Sequence, residues 1–74
     1  MAYTDRIVSD QKIMLGKPVV KGTRITVELI LKKLSEGISF EDLLQAYPHV
    51  TKEDILAALS YSADVISREE IIAG

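Results

Sequence analysis

From Val27 onward, apolar residues return every three or four positions, the spacing that lines one face of a helix. Val27, Ile30, Leu31 and Leu34 predict a first helix over 27–36, with Gly37 placed to close it in the left-handed conformation. Phe40, Leu43, Leu44 and Tyr47 predict a second over 40–47, stopped by Pro48. Ile55, Leu56, Leu59, Ala63 and Ile66 predict a third over 52–66. That phase turns Glu53, Asp54, Ala57, Ser60, Tyr61 and Asp64 to the outside. Each start is written in one grammar. Thr26, Ser39, Thr51 and Ser67 each suit an N-cap, where a side-chain oxygen accepts an otherwise orphaned backbone N–H. The pairs Ile25/Ile30, Ile38/Leu43, Val50/Ile55 and Ile66/Ile71 have the spacing of a hydrophobic staple around those caps. Three of the caps also have an acid at the third helical position: Asp42, Asp54 and Glu70. Ser67 therefore predicts a new, short terminal turn carrying Ile71 and Ile72.

Ahead of the helices the pattern changes. Brief extended pieces are expected near 6–9, 12–15 and 18–25, with turns at Asp10-Gln11 and Gly16-Lys17. The nine residues Gly16 to Arg24 hold two glycines, a proline and three cations, which points to a folded-back extended segment. Charge divides the chain at the same place. Residues 1–26 carry five Lys/Arg against two Asp, a balance of +3, and residues 27–74 carry four against nine acids, a balance of −5. The expected architecture is α+β, mostly α: a short N-terminal β-hairpin arm on a three-helix, helix-turn-helix-like bundle. It divides into a basic β-arm (1–25), a helical bundle (26–66) and a short C-terminal turn (67–74), all in one domain.

Seventy-four residues bury only about 60% of the surface their unfolded chain exposes, so the core is marginal and association would add to it. No cysteine is present to staple it, which fits a reducing cytoplasm, the expected compartment. No apolar run approaches the ~20 residues of a membrane span, and the charged N-terminus lacks a signal peptide's apolar core.

The stretch GKPVVKGTRITV, with YPHVTKEDILAAL further on, resembles the domain of unknown function 433 family of small bacterial and archaeal proteins. The likeness runs from about Arg6 to Ser62, and the Gly-Lys-Pro…Gly-Thr-Arg core carries most of it. Leu15 departs from the pattern, which commonly has a glycine just before Gly-Lys-Pro. The resemblance implies a helix-turn-helix-like fold. It also implies the role often proposed for the family, an antitoxin encoded beside a PIN-like nuclease toxin.

The residues themselves offer several candidate chemistries. Lys12, Lys17, Lys21 and Arg24 could form a cationic strip on a hairpin, with Thr23 as a neutral donor beside them, and β-ribbons do read DNA grooves. The same lysines equally suit an edge strand protected from aggregation, or docking to an acidic partner. The third helix, with three carboxylates turned outward, is poorly suited to a phosphate-lined groove. Five residues separate Gly16 from Gly22, and Thr23 follows where a phosphate-binding loop needs lysine, so nucleotide hydrolysis is not expected. His49 is a lone imidazole in an inter-helix turn with no catalytic partner at a plausible spacing. Glu41/Asp42, Glu53/Asp54 and Glu69/Glu70 sit in first helical turns, where the helix dipole accounts for them without a metal. No cofactor, metal set or enzymatic site is expected. Tyr61, Asp64, Ile71 and Ile72 are the candidate partner-binding residues, the last two as an apolar tip that folds back or inserts into a partner. The functional expectation is an antitoxin that neutralises a nuclease-like toxin, contacts operator DNA and forms a homodimer, with two arms completing one sheet. The alternative is a dimeric interaction module or transcriptional regulator without a toxin.

Overall fold

The computed structural model describes the backbone of residues 3–73 and the side chains of residues 3–68. A 3-10 turn over Tyr3–Asp5 leads into β1 (Ile7–Val8), which pairs antiparallel with β2 (Val19–Val20) in the register Ile7↔Val20 and Val8↔Val19. Three helices follow: α1 (Val27–Ser35), α2 (Phe40–Ala46) and α3 (Lys52–Ala73). The α+β, mostly helical architecture expected from the sequence is the one observed.

Helix starts follow the local grammar at three of four sites. Thr26 Oγ1 accepts from Leu29 N at 3.0 Å, Ser39 Oγ from Asp42 N at 3.1 Å and Thr51 Oγ1 from Asp54 N at 3.1 Å. At Thr51 the box is reciprocal, because Thr51 N donates back to Asp54 Oδ2 at 2.9 Å. Gly37 closes α1 at φ +91°, with Gly37 N on Leu34 O and Ile38 N on Lys33 O, which together satisfy two end carbonyls. The fourth start is a correction. α3 runs through Ser67 to Ala73 as one helix, so the break after Ile66 and the separate 67–74 turn do not form. A cap residue starts a helix only where one has to be nucleated. No glycine or proline lies between Lys52 and Ala73, and extending an existing helix is cheaper than beginning another.

The N-terminal region is also more integrated than an arm. β2 is flanked on both sides: β1 on one, and on the other the returning chain, where Val20 N donates to Ile25 O at 2.9 Å and Val27 N to Pro18 O at 3.0 Å. Ile7, Val19 and Val20 are all buried. Ile7 and Val20 belong to one core with Val27, Ile30, Leu43, Val50, Ile55, Ala57 and Ala58. With two residue pairs the ladder is about 7 Å long. The expected ribbon able to lie in a DNA groove is replaced by a short patch that closes the bundle. Both edges of β2 are already paired, so a sheet shared between two copies through that strand is not available.

The 12–15 piece is not extended either. Asp10 opens a turn, with Ile13 N on Asp10 O and Lys12 N on Asp10 Oδ1. Met14, Leu15 and Gly16 then form a single left-handed turn with φ of 51°, 58° and 84°. It is held by Gly16 N on Ile13 O and Lys17 N on Met14 O.

Candidate functional site

The basic residues do not make one strip. Lys12 and Lys17 lie in the Ser9–Pro18 connection beyond one end of the ladder, and Lys21 and Arg24 lie in the turn beyond the other. Lys17 is engaged, its Nζ 3.1 Å from Glu28 Oε1 on α1. Thr23 is engaged as well: its hydroxyl donates to Val20 O at 2.8 Å and accepts from Ile25 N at 3.0 Å. It shapes the turn and has no proton left for a phosphate. Lys12, Lys21 and Arg24 are exposed, and among the described residues their side chains form no ion pair.

α3 is rotated relative to the sequence expectation. Asp54, Ile55, Ala57 and Ala58 are buried, Tyr61, Ser62 and Val65 are half-buried, and Leu56, Ala63 and Ile66 are exposed. The cause lies at the other end of the chain. The N-terminal turn packs on the side of α3 expected to face water. Tyr3 Oη donates to Asp64 Oδ2 at 2.7 Å, the Tyr3 and Tyr61 rings meet edge to face at 5.5 Å, and Arg6 Nη1 donates to Asp54 Oδ1 at 3.0 Å. The hydrogen bond to the Asp64 carboxylate, reinforced by partial desolvation and that carboxylate's charge, raises the Tyr3 phenol above its ordinary pKa. Asp64 is shared with Arg68 at 2.8 Å. Of the three carboxylates expected to face outward, two are thus held within the chain, and Glu53 alone stays in the open stripe of Lys52, Glu53, Leu56, Ala63 and Ile66.

Two features that the sequence did not signal stand out on the surface. The first is an open groove of about 310 Å³ between α1 and α3, lined by Pro18, Val27, Leu31, Tyr61, Val65 and Ile66 together with Glu28 and Ser62. About 150 Å³ of apolar cavity accommodates a benzene ring, so this groove has room for one or two aliphatic side chains. Tyr61, a candidate partner-binding residue, lines it; Asp64 is occupied by Tyr3 and Arg68. The side chains of Ile71 and Ile72 lie outside the described residues. The second feature is the left-handed turn. Leu15 is 83% exposed and Met14 39% exposed. An L-residue with a Cβ costs roughly 1–2 kcal/mol in this conformation, and a bulky aliphatic in water adds nothing to the fold in return. Gly16 hints at a tight turn in the sequence, but nothing there marks Met14 and Leu15 as left-handed.

The family model described as "Protein of unknown function (DUF433)" matches residues 7–62. The chain belongs to the DUF433 family. That span contains the strand pair, the left-handed turn, α1, α2 and the first half of α3, and so most of the groove wall. A crystal structure of a DUF433 member protein from Anabaena variabilis superposes with a TM-score of 0.79 at 27% identity, covering 93% of this chain and 69% of that one. An uncharacterized protein of Sinorhizobium fredii is 34% identical over 61 residues, 82% of this chain but 28% of its own length. An uncharacterized protein of Archaeoglobus fulgidus is 62% identical over 24 residues, 32% of this chain and 67% of its own. The DUF433 fold here therefore corresponds to a little over a quarter of the longer Sinorhizobium relative. Among the described residues, no three metal-ligating side chains converge and no helix is long and apolar enough to cross a membrane.

Proposed function

We propose that this DUF433 chain acts by binding another protein, as an antitoxin that holds a nuclease-like toxin inactive. The observation that supports binding is the open α1–α3 groove, whose lining is almost wholly apolar and whose volume of about 310 Å³ leaves room for aliphatic side chains from a partner segment. Helix-lined grooves of this kind suit an amphipathic segment that anchors through a few aliphatic residues. The nuclease-like identity of the partner rests on the family resemblance of the Gly-Lys-Pro…Gly-Thr-Arg stretch. On this reading the groove supplies the affinity, and Tyr61 supplies an aromatic wall whose face is fixed by the ring of Tyr3.

Operator binding is the second part of the proposal and is supported by the exposed Lys21 and Arg24. These two cations share one turn and have no acidic partner among the described residues. Two phosphate contacts give weak, salt-sensitive affinity, so this turn would need a second copy or a bound partner to reach useful occupancy. The experiment that tests the antitoxin reading is expression of the chain with and without the product of its neighbouring gene. Growth arrest by that product alone, relieved by this chain with a co-purifying complex, is the expected result. Absence of both toxicity and a complex would leave the regulator reading in its place.

A further inference from the structure

We infer that the cavity between the C-terminal end of α1 and α2 binds a free α-amino acid with an apolar side chain, its carboxylate drawn to Lys33 and its ammonium group to Asp42. This cavity shares no lining residue with the α1–α3 groove, so the inference does not rest on the reading above. It encloses about 210 Å³ and is lined by Lys33, Ile38, Asp42, Leu43, Ala46 and Tyr47.

The lining combines two chemistries. Ile38, Leu43, Ala46 and Tyr47 supply apolar surface, and about 150 Å³ is enough for a benzene ring, so one branched aliphatic or single-ring side chain fits. Lys33 and Asp42 bring one charge of each sign to the same small space. They do not pair with each other. Among the described residues, the one ionic contact of Lys33 is to Glu36 at 4.0 Å, and the Asp42 carboxylate accepts no hydrogen bond. The Tyr47 hydroxyl, which can donate or accept, has no hydrogen bond among them either. Two opposite charges that line one cavity without meeting select a ligand that carries both. A lone carboxylate drawn to Lys33 would be repelled by Asp42, and a lone amine drawn to Asp42 would be repelled by Lys33. A zwitterion answers both at once.

The walls are held in place before any ligand arrives. Gly37 closes α1 at φ +91°, and Ile38 N donates to Lys33 O at 3.3 Å, which joins two lining residues across the turn. Ser39 Oγ accepts from Asp42 N at 3.1 Å, and Tyr47 N donates to Leu43 O at 3.0 Å at the far end of α2. Leu43 is buried, so that part of the lining is fixed in the core. Binding therefore requires little ordering of the protein, the condition under which a ligand of about nine non-hydrogen atoms reaches useful affinity.

NMR titration of the isotopically labelled full chain tests this with three probes. They are L-leucine, isoamylamine (leucine without its carboxylate) and isocaproate (leucine without its ammonium group). L-Leucine should give saturable shifts at Ile38, Leu43, Ala46 and Tyr47, with a dissociation constant on the order of 1 mM. Each single-charge probe should bind about 10-fold more weakly. Asp42→Asn should weaken L-leucine by about 10-fold and leave isocaproate no weaker, while Lys33→Met should weaken L-leucine by a similar factor and leave isoamylamine no weaker. A merely structural role for either residue would not sort the probes by charge. Absence of saturable shifts up to about 20 mM L-leucine overturns the inference. So do shifts centred on Val27, Leu31 and Val65 in the α1–α3 groove, or an L-leucine affinity that neither substitution changes.

Discussion

Arg6 Nη1 lies 3.0 Å from Asp54 Oδ1, and the other oxygen of the same carboxylate closes the N-terminal cap of α3 on Thr51 N at 2.9 Å. One carboxylate thus fixes both where the longest helix begins and which side of it the N-terminal turn covers. The Asp54 side chain is 10% exposed and that of Arg6 is 40% exposed, so the carboxylate bears most of the desolvation.

Asp54→Ala is expected to destabilise the fold by about 2 kcal/mol, the sum of a missing cap and a missing charge-assisted hydrogen bond. Arg6→Ala should cost less, because the helix cap survives it. Urea unfolding of both single variants and the double variant measures the coupling. Fully additive losses would show that the two groups do not act together.

The observed rotation of α3 makes a second prediction. Ala58 is fully buried and Ala63 is exposed, although the apolar spacing alone puts Ala63 inside. Ala58→Leu should cost about 1–3 kcal/mol through overpacking, whereas Ala63→Leu should be nearly neutral. Thermal melts with the reverse ranking would mean that α3 sits in the phase read from the sequence.

Which parts of the fold were legible follows from how local their causes are. The caps at Thr26, Ser39 and Thr51 depend on residues within four positions, and so does the Gly37 stop; the sequence displays both. The phase of α3 depends on Tyr3 and Arg6, which reach Asp64 and Asp54 across 61 and 48 residues. No local pattern reports that, and Leu56 and Ile66 extend the apolar stripe in a misleading direction. Ser67 shows the opposite failure: its local signals are complete, but a helix already formed passes through them. The site was less legible still. Lys12, Lys17, Lys21 and Arg24 are near in sequence and divided in space by the strand pair. The groove depends on how α1 meets α3, which is a matter of packing, not of motif.

Alkaline pH should loosen the N-terminal turn. The Tyr3 phenol has a raised pKa in the fold, so the protonated form is favoured there. The stabilisation is fully present below the unfolded tyrosine value near 10 and is lost as pH rises through the higher folded value. Thermal melts from pH 8 to 11 should fall more steeply for the natural chain than for Tyr3→Phe. Identical slopes would remove Tyr3–Asp64 as the cause.

For operator DNA, replacing Lys21 and Arg24 with alanine should weaken binding to every sequence alike and reduce the log–log salt slope by about 1 for each phosphate left without its cation. Replacing Lys17, already paired with Glu28, should have a smaller effect. A salt-titrated binding assay in which the Lys21/Arg24 variant keeps both affinity and slope would exclude this turn as the DNA-binding surface.

If a protein partner binds in the α1–α3 groove, as proposed above, co-purification of the neighbouring gene's product with the natural chain and with Ile66→Lys reads that binding. Ile66 is 60% exposed at the groove wall, so lysine there leaves the core intact while placing a charge in the socket. A stable complex with the natural chain and its loss with the variant, at unchanged helical content, is the expected result. No complex with the natural chain, or one that Ile66→Lys retains in full, would contradict it.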